Sequence, residues 1–184
     1  MTVSEETFRQ VALEDPEGHW ELYEGNMRRK PGATFEHNEV QSELPFLIMR
    51  QLDRQQFGVR CNAGYVRVPE HSYYIPDVFV IPMDLMRPLF GTKELEWYQA
   101  PMPLVVEIWS PAPEDDNIDM RLRGYQRRGD REIWRLDPYD KTLVASRREA
   151  DGSYAEALYT GGLVHPVALP GVTVDLDALF TLAR

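Results

Sequence analysis

Two strand-length apolar runs each carry one carboxylate, and that pairing limits what the chain can be more than any other feature. Pro76-Asp77 opens the run Val78-Phe79-Val80-Ile81, and Glu107 sits within Leu104-Val105-Val106-Glu107-Ile108-Trp109. Burying an ionised acid in such a strand costs on the order of several kcal/mol unless a metal or a cation compensates it. Two acids so placed invite a shared ligand. Carboxylate oxygens supplemented by water and substrate phosphate are what Mg²⁺ or Mn²⁺ prefers in phosphoryl-transfer sites. The plainer alternative is a pair of acids on strand faces that are wet or salt-bridged.

The remaining punctuation supports one domain spanning 1–184, since no Gly/Ser-rich or low-complexity linker interrupts the chain. A short helix is expected up to Leu13, followed by a strand at Trp20–Glu24, a tight turn at Gly25-Asn26 and a return strand from Met27 to Lys30. Apolar residues at Val40, Leu44, Leu47, Ile48 and Leu52 predict a helix between Glu36 and about Arg54, with Pro45 kinking it or marking its start. Runs at Val59–Val68, Ile75–Ile81 and Leu104–Trp109 read as strands. The stretch between Pro82 and Pro103 is rich enough in Leu, Met, Phe and Trp to pack on the body. An amphipathic helix from Ile118 to Arg128 closes at Gly129, and a strand follows at Glu132–Leu136. Thr142–Ser146 and Tyr154–Tyr159 form a hairpin, and Leu176–Leu182 a short final helix. Helices alternating with strands in this order give an α/β or α+β domain around a mixed sheet.

Composition narrows the function. The formal net charge of −10 weighs against a protein that coats nucleic acid regardless of sequence. No uninterrupted apolar stretch is long enough to cross a bilayer. The first 18 residues carry five acids and no basic start or apolar run, so no secretory leader is expected. The single cysteine, Cys61, excludes an intramolecular disulfide and a cysteine-rich zinc site, and fits a reducing, cytoplasmic setting. No activating neighbour marks Cys61 as a nucleophile.

Several segments in order resemble one family. These are Trp20-Glu-Leu-Tyr-Glu-Gly25, His37 ahead of a helix, Ile75-Pro-Asp77, Leu104-Val-Val-Glu-Ile-Trp-Ser-Pro111, Tyr125 followed by Gly129, Glu132-Ile-Trp134, Leu136-Asp-Pro138 and the closing Leu169-Pro-Gly-Val-Thr-Val-Asp-Leu176. The series is similar to the Uma-type putative restriction endonuclease family, from about residue 18 to the end. The resemblance implies a PD-(D/E)XK, restriction-endonuclease-like core, here with an additional C-terminal hairpin and short helix. It implies a Mg²⁺- or Mn²⁺-dependent endonuclease acting on DNA, with metal held by Asp77 and Glu107. Glu21 corresponds to an acid of the family's early strand; Glu24 is the weaker candidate because alternation sets it on the opposite face.

The chain departs from that pattern where a lysine belongs. The usual position, two residues after the glutamate, is Trp109. The family's alternative lysine, four residues before the tyrosine, is Arg121 here. Arginine can hold a phosphate or offset developing charge but cannot take a proton from water. The aspartate that commonly precedes that lysine corresponds to Asn117, with Asp116 beside it. The expected chemistry is in-line attack of water on phosphorus without a covalent intermediate.

Other candidates have two readings each. His37 contacts substrate, or it caps a helix. Arg127 and Arg128, with Arg121, Arg123 and Arg131, form the most concentrated basic segment; it either receives a phosphate backbone or is a solvated face paired with Glu114, Asp115 and Asp116. His19, His71 and His165 lack metal-ligand spacing and read as surface or turn residues, and Trp134 as core. The aromatic stretch around Trp97 and Tyr98 offers an interface for a homodimer, which would suit cleavage of two strands. Two rivals to the endonuclease remain: a catalytically weak or inactive relative that binds nucleic acid or a protein partner, and a non-nuclease or structural protein that reuses the fold. An inactive binder predicts metal-site carboxylates bridged by arginine.

Overall fold

The chain was analysed as a computed structural model in which residues 2–111 and 118–182 are described. Asp116 and Asn117, with Glu114 and Asp115, lie outside the described residues.

Ser4 caps the first helix, α1 (Glu5–Glu14), by accepting from Thr7 N at 3.1 Å. The hairpin β1 (Trp20–Tyr23) and β2 (Asn26–Arg29) pairs Tyr23 with Asn26, so its turn is Glu24-Gly25, one residue earlier than the sequence suggests. Both turn residues have positive φ, 47° and 80°, as a two-residue hairpin requires, and Gly25 meets that demand without a Cβ clash. The second helix, α2 (Phe35–Met49), ends earlier than its apolar pattern suggested and runs through Pro45 instead of starting there. Val40, Leu44 and Ile48 form its buried stripe. Pro45 has no N–H for the carbonyl of Gln41, four residues back; the Cys61 thiol donates to that oxygen instead, at 3.2 Å.

The run Val59–Val68 is not one strand. It divides into β3 (Phe57–Cys61) and β4 (Tyr65–Val68), which join different sheets across a turn where Asn62 and Gly64 have positive φ. β5 (Ser72–Tyr74) precedes β6 (Val78–Pro82), and the apolar stretch beyond it contains α3 (Met83–Met86) and β7 (Trp97–Tyr98). Then come β8 (Leu104–Ile108), α4 (Ile118–Arg128), β9 (Glu132–Asp137), the hairpin β10 (Thr142–Arg148) and β11 (Tyr154–Tyr159), the short pair β12 (Leu163–Val164) and β13 (Val174–Asp175), and α5 (Leu176–Leu182).

The central sheet has the order β11-β10-β9-β8-β6-β3 and is mixed: β8 and β9 run parallel, joined by the crossover containing α4, and the other pairs are antiparallel. The C-terminal hairpin therefore extends this sheet. One core, with Val40 and Leu44 of α2 against Val78 and Val106, also takes in Leu176 and Leu179 of α5 and Trp134. A second cluster gathers Phe79, Val105 and Ile133 with Tyr125 of α4 and Tyr74. A second sheet, β2-β1-β5-β4-β7, carries Glu21 and Tyr23 in β1. Trp97 and Tyr98 do not supply a free aromatic face. Trp97 stacks on Tyr65 with centroids 4.2 Å apart and meets Phe8 edge-on, and Tyr98 is buried.

Candidate active site

Register brings the two acids together. β6 and β8 pair Val78 with Val106, and the same antiparallel register extended by one residue sets Asp77 opposite Glu107. Directly opposed residues share a face of the sheet. Both carboxylates are almost wholly buried and line a cavity of about 610 Å³, together with Lys30, His37, Gln41, Asn62 and Arg121.

Asp77 is surrounded by donors. Its Oδ1 accepts from Lys30 Nζ at 2.8 Å and Gln41 Nε2 at 3.1 Å; its Oδ2 pairs with His37 Nε2 at 3.2 Å and accepts from Ile108 N at 2.8 Å. Burial pushes the Asp77 carboxyl upward, but the Lys30 charge and the His37 contact outweigh it and hold the group well below the usual carboxylate range. His37 reaches the acid because Thr34 caps α2 three residues earlier. It is thus both a first-turn residue and a site residue, and its Nδ1 is buried without a hydrogen-bond partner among the described residues.

Glu107 is held differently. Its Oε1 accepts from Arg121 Nη2 at 2.9 Å and from the Tyr125 hydroxyl. Arg121 Nη1 reaches both oxygens of Glu21, at 2.9 and 2.8 Å, and the Tyr23 hydroxyl at 2.6 Å, while Nη2 also donates to the Ile75 carbonyl at 2.9 Å. Glu21 accepts in addition from Ile75 N at 2.6 Å and from the Tyr23 hydroxyl at 3.0 Å. Arg121 and Tyr125 project from one side of α4, and Gly124 lets that helix approach: a Cβ there would lie 3.0 Å from the Tyr74 ring.

Three buried carboxylates thus meet the side chains of Lys30 and Arg121. The imbalance falls on Glu107. Burial raises its carboxyl to about 7, with Arg121 opposing and the Asp77 charge adding to the rise. A group poised there can exchange a proton near neutral pH.

Sequence reasoning identified Asp77, Glu107, Arg121, Glu21 and His37, and the fold assembles them. Glu21 lies behind the cavity, bridged to Glu107 by Arg121. Arg127 and Arg128 do not line the cavity. Arg127 pairs with Glu70 at 3.4 Å on the surface, and the Arg128 side chain is buried against Asp130, at 3.0 Å from Nε to Oδ2. A buried guanidinium committed to its own carboxylate is not available to a phosphate backbone. His19 occupies a left-handed turn, as its surroundings suggest, yet it also lines the cavity. Lys30, Asn62 and Gln41 escaped notice. The usable signal for Lys30 was composition: the chain has three lysines among twenty Lys and Arg residues, and one of them ends the strand that follows Glu21.

A divalent cation would need hard oxygen donors here, and the site has them. The Lys30 ammonium already draws three of them together: it lies 2.8 Å from Asp77 Oδ1, 2.8 Å from the Ile75 carbonyl and 2.9 Å from Asn62 Oδ1. Carboxylate, carbonyl and amide oxygens are the donors that Mg²⁺ and Mn²⁺ accept, and Glu107 supplies a carboxylate short of positive charge. The donor set fits.

A mixed sheet flanked by helices, with an aspartate before one strand facing a glutamate in the next, defines a restriction-endonuclease-like domain. The chain belongs to the Uma2 family, described as "Putative restriction endonuclease", whose family model matches residues 5–178. The fold is similar to that in the crystal structure of "a putative nuclease belonging to DUF820" from Anabaena variabilis ATCC 29413. That comparison has a TM-score of 0.75 at 18% identity and covers 91% of this chain and 93% of that one. No curated protein matches the sequence. Among the described residues, no helix is long and apolar enough to cross a membrane.

Proposed function

We propose that the chain is a metal-dependent endonuclease hydrolysing phosphodiester bonds, with DNA as substrate and the cytoplasm as its setting. The observation that carries this reading is the meeting of Asp77 and Glu107 at one cavity whose oxygens already hold a cation.

Asp77 and Glu107 would hold Mg²⁺ or Mn²⁺. When bound, the ion supplies Lewis-acid polarisation of a phosphoryl oxygen and acidifies a water. The chain's own groups do the rest. Glu107, raised by burial to about 7 in the metal-free chain, would have to give up its proton before it could join Asp77 as an oxygen ligand. His37, fixed through Nε2 to Asp77, keeps Nδ1 for a further hydrogen bond. Arg121 anchors Glu107 and, together with Lys30, offsets charge building on phosphate oxygens. Arg121 is fully buried and its value is driven upward: burial lowers it, but Glu107 and Glu21 prevail, so it acts as a fixed cation and not as a base. A homodimer would place two such cavities against the two strands of a duplex.

One feature favours a second reading, an inactive nucleic-acid or partner binder: Arg121 joins Glu21 to Glu107 and occupies an oxygen a metal would use. The two readings separate in calorimetry with Mg²⁺ and Mn²⁺ beside a plasmid-cleavage assay, on the native chain and Asp77→Ala. Metal uptake and cleavage that both disappear in the variant support the endonuclease. Uptake without cleavage supports the binder, and no uptake removes the metal chemistry altogether.

A further inference from the structure

The Lys30 ammonium has three N–H donors, and all three point at oxygens: Asp77 Oδ1, the Ile75 carbonyl and Asn62 Oδ1, none farther than 2.9 Å. Those oxygens come from two segments far apart in the chain: the link Ile75-Pro76-Asp77 between β5 and β6, and the turn after β3. An ammonium held by converging carboxylate, carbonyl and amide oxygens occupies the position of a coordinated cation. His37, 96% buried, adds an Nδ1 with no partner among the described residues, beside the same carboxylate, so the surroundings have room for a ligand besides the lysine.

The lysine is the less constrained of the two site cations. It ends the hairpin just before Pro31-Gly32, reaches inward on a flexible four-carbon stem and lines the open cavity. Arg121 has no such freedom, since its fork is fixed by Glu21, Glu107, Tyr23 and the Ile75 carbonyl. Only one of the two site cations can be exchanged without breaking a buried network.

We propose that Lys30 is a tethered cation occupying the divalent-metal position, so that metal binds by displacing its ammonium from Asp77, Asn62 and the Ile75 carbonyl. Lys30 is then a positioning residue whose withdrawal from Asp77 accompanies metal entry. The displaced ammonium enters the cavity, where a substrate phosphate would meet it. This inference rests on the metal-dependent reading of the site, but its test does not rest on catalysis.

The experiment is Mn²⁺ titration by calorimetry of the full chain as wild type, Lys30→Ala and the double variant Lys30→Ala/Asp77→Ala. Removing the resident charge is expected to tighten Mn²⁺ binding by roughly tenfold or more, and removing Asp77 as well to abolish the gain. Unchanged affinity in Lys30→Ala, tight binding that survives the loss of Asp77, or no Mn²⁺ binding by any form overturns the proposal.

Should Lys30→Ala fail to fold by circular dichroism, the wild type carries the test through amine acetylation read by peptide mass spectrometry. Lys93 and Lys141, both exposed, serve as internal references. Lys30 is expected to be protected without metal and labelled several-fold faster with saturating Mn²⁺, while the references stay constant. A Lys30 rate indifferent to Mn²⁺ overturns the displacement. If Lys30→Ala gains metal affinity while no form cleaves plasmid, the endonuclease reading fails and the tethered cation stands. If the wild type cleaves with Mg²⁺ and Lys30 is indifferent to metal, the reverse holds.

Discussion

The two ends of the site solve one electrostatic problem with different parts. At Asp77 the compensating charge is a lysine at the cavity wall, supported by a histidine, a glutamine amide and one backbone N–H. At Glu107 it is an arginine shared with a second acid and enclosed by two tyrosine hydroxyls. A point charge on a flexible stem can be exchanged, whereas a planar fork serving two carboxylates and a carbonyl cannot be removed piecemeal. The first end is suited to ligand traffic, and the second to holding the sheets and α4 together.

The sharpest way to break this contrast is Arg121→Met. It leaves Glu21 and Glu107 buried without their shared cation and is expected to cost about 3–5 kcal/mol in urea unfolding. Arg121→Lys should recover only part, since one ammonium cannot reproduce the fork. A full recovery would show that charge alone matters there. Lys30→Met is expected to cost less, about 2 kcal/mol, because Asp77 keeps three other donors.

The same variant sharpens the pH response at the Asp77 end. A depressed carboxyl contributes stability that is present above its ordinary value of 3.8 and is lost as pH falls through the depressed value. Lys30→Met weakens the depression, so its acid unfolding should begin at higher pH than in the wild type. Coincident acid transitions would count against Lys30 as the main opposing charge.

Glu107 behaves in the opposite sense. Its folded value lies above the ordinary 4.5, at about 7, so the folded state binds more protons and its contribution is full below 4.5 and lost as pH rises through 7. Glu107→Gln should remove a decline on the order of 1–2 kcal/mol across that window, measured by unfolding at pH 5 and 7.5. A variant whose pH profile parallels the wild type would place the shift elsewhere. The smallest expected effect is at Arg127→Ala, whose exposed pair with Glu70 should contribute under about 0.5 kcal/mol and leave plasmid affinity unchanged. A clear loss of DNA binding there would restore the basic segment to the nucleic-acid interface.

The parts of the fold and site legible in the sequence were those written in local periodicity. α4 and α5 and the strands around Val78, Glu107 and Ile133 follow from apolar spacing and punctuation, and the acids stand out because they interrupt it. The division of Val59–Val68 between two sheets was hidden, since Asn62 adopts a left-handed backbone that its residue type permits but does not demand. Pro45 suggested a helix boundary because the thiol that compensates its missing N–H comes from Cys61 on another element. Beyond the scarcity of lysine in the chain, the role of Lys30 was hidden for the same kind of reason. Its three oxygens lie 32, 45 and 47 residues away, and no pattern within the hairpin reports them. Arg128 misled in the other direction: a cluster of arginines looks like a surface, and only packing reveals that one of them is buried on Asp130.

The register that sets Asp77 opposite Glu107 has an implication for how this site can be lost. A one-residue slip of β6 against β8 would break this opposition, and one residue more or fewer in β8 ahead of Glu107 would turn that acid to the other face of the sheet. One acid would then enter the aliphatic core while valines took its place at the cavity. Partial function has no route through such lesions, so the length of these two strands should be among the least variable properties of the chain, even where their apolar residues exchange freely.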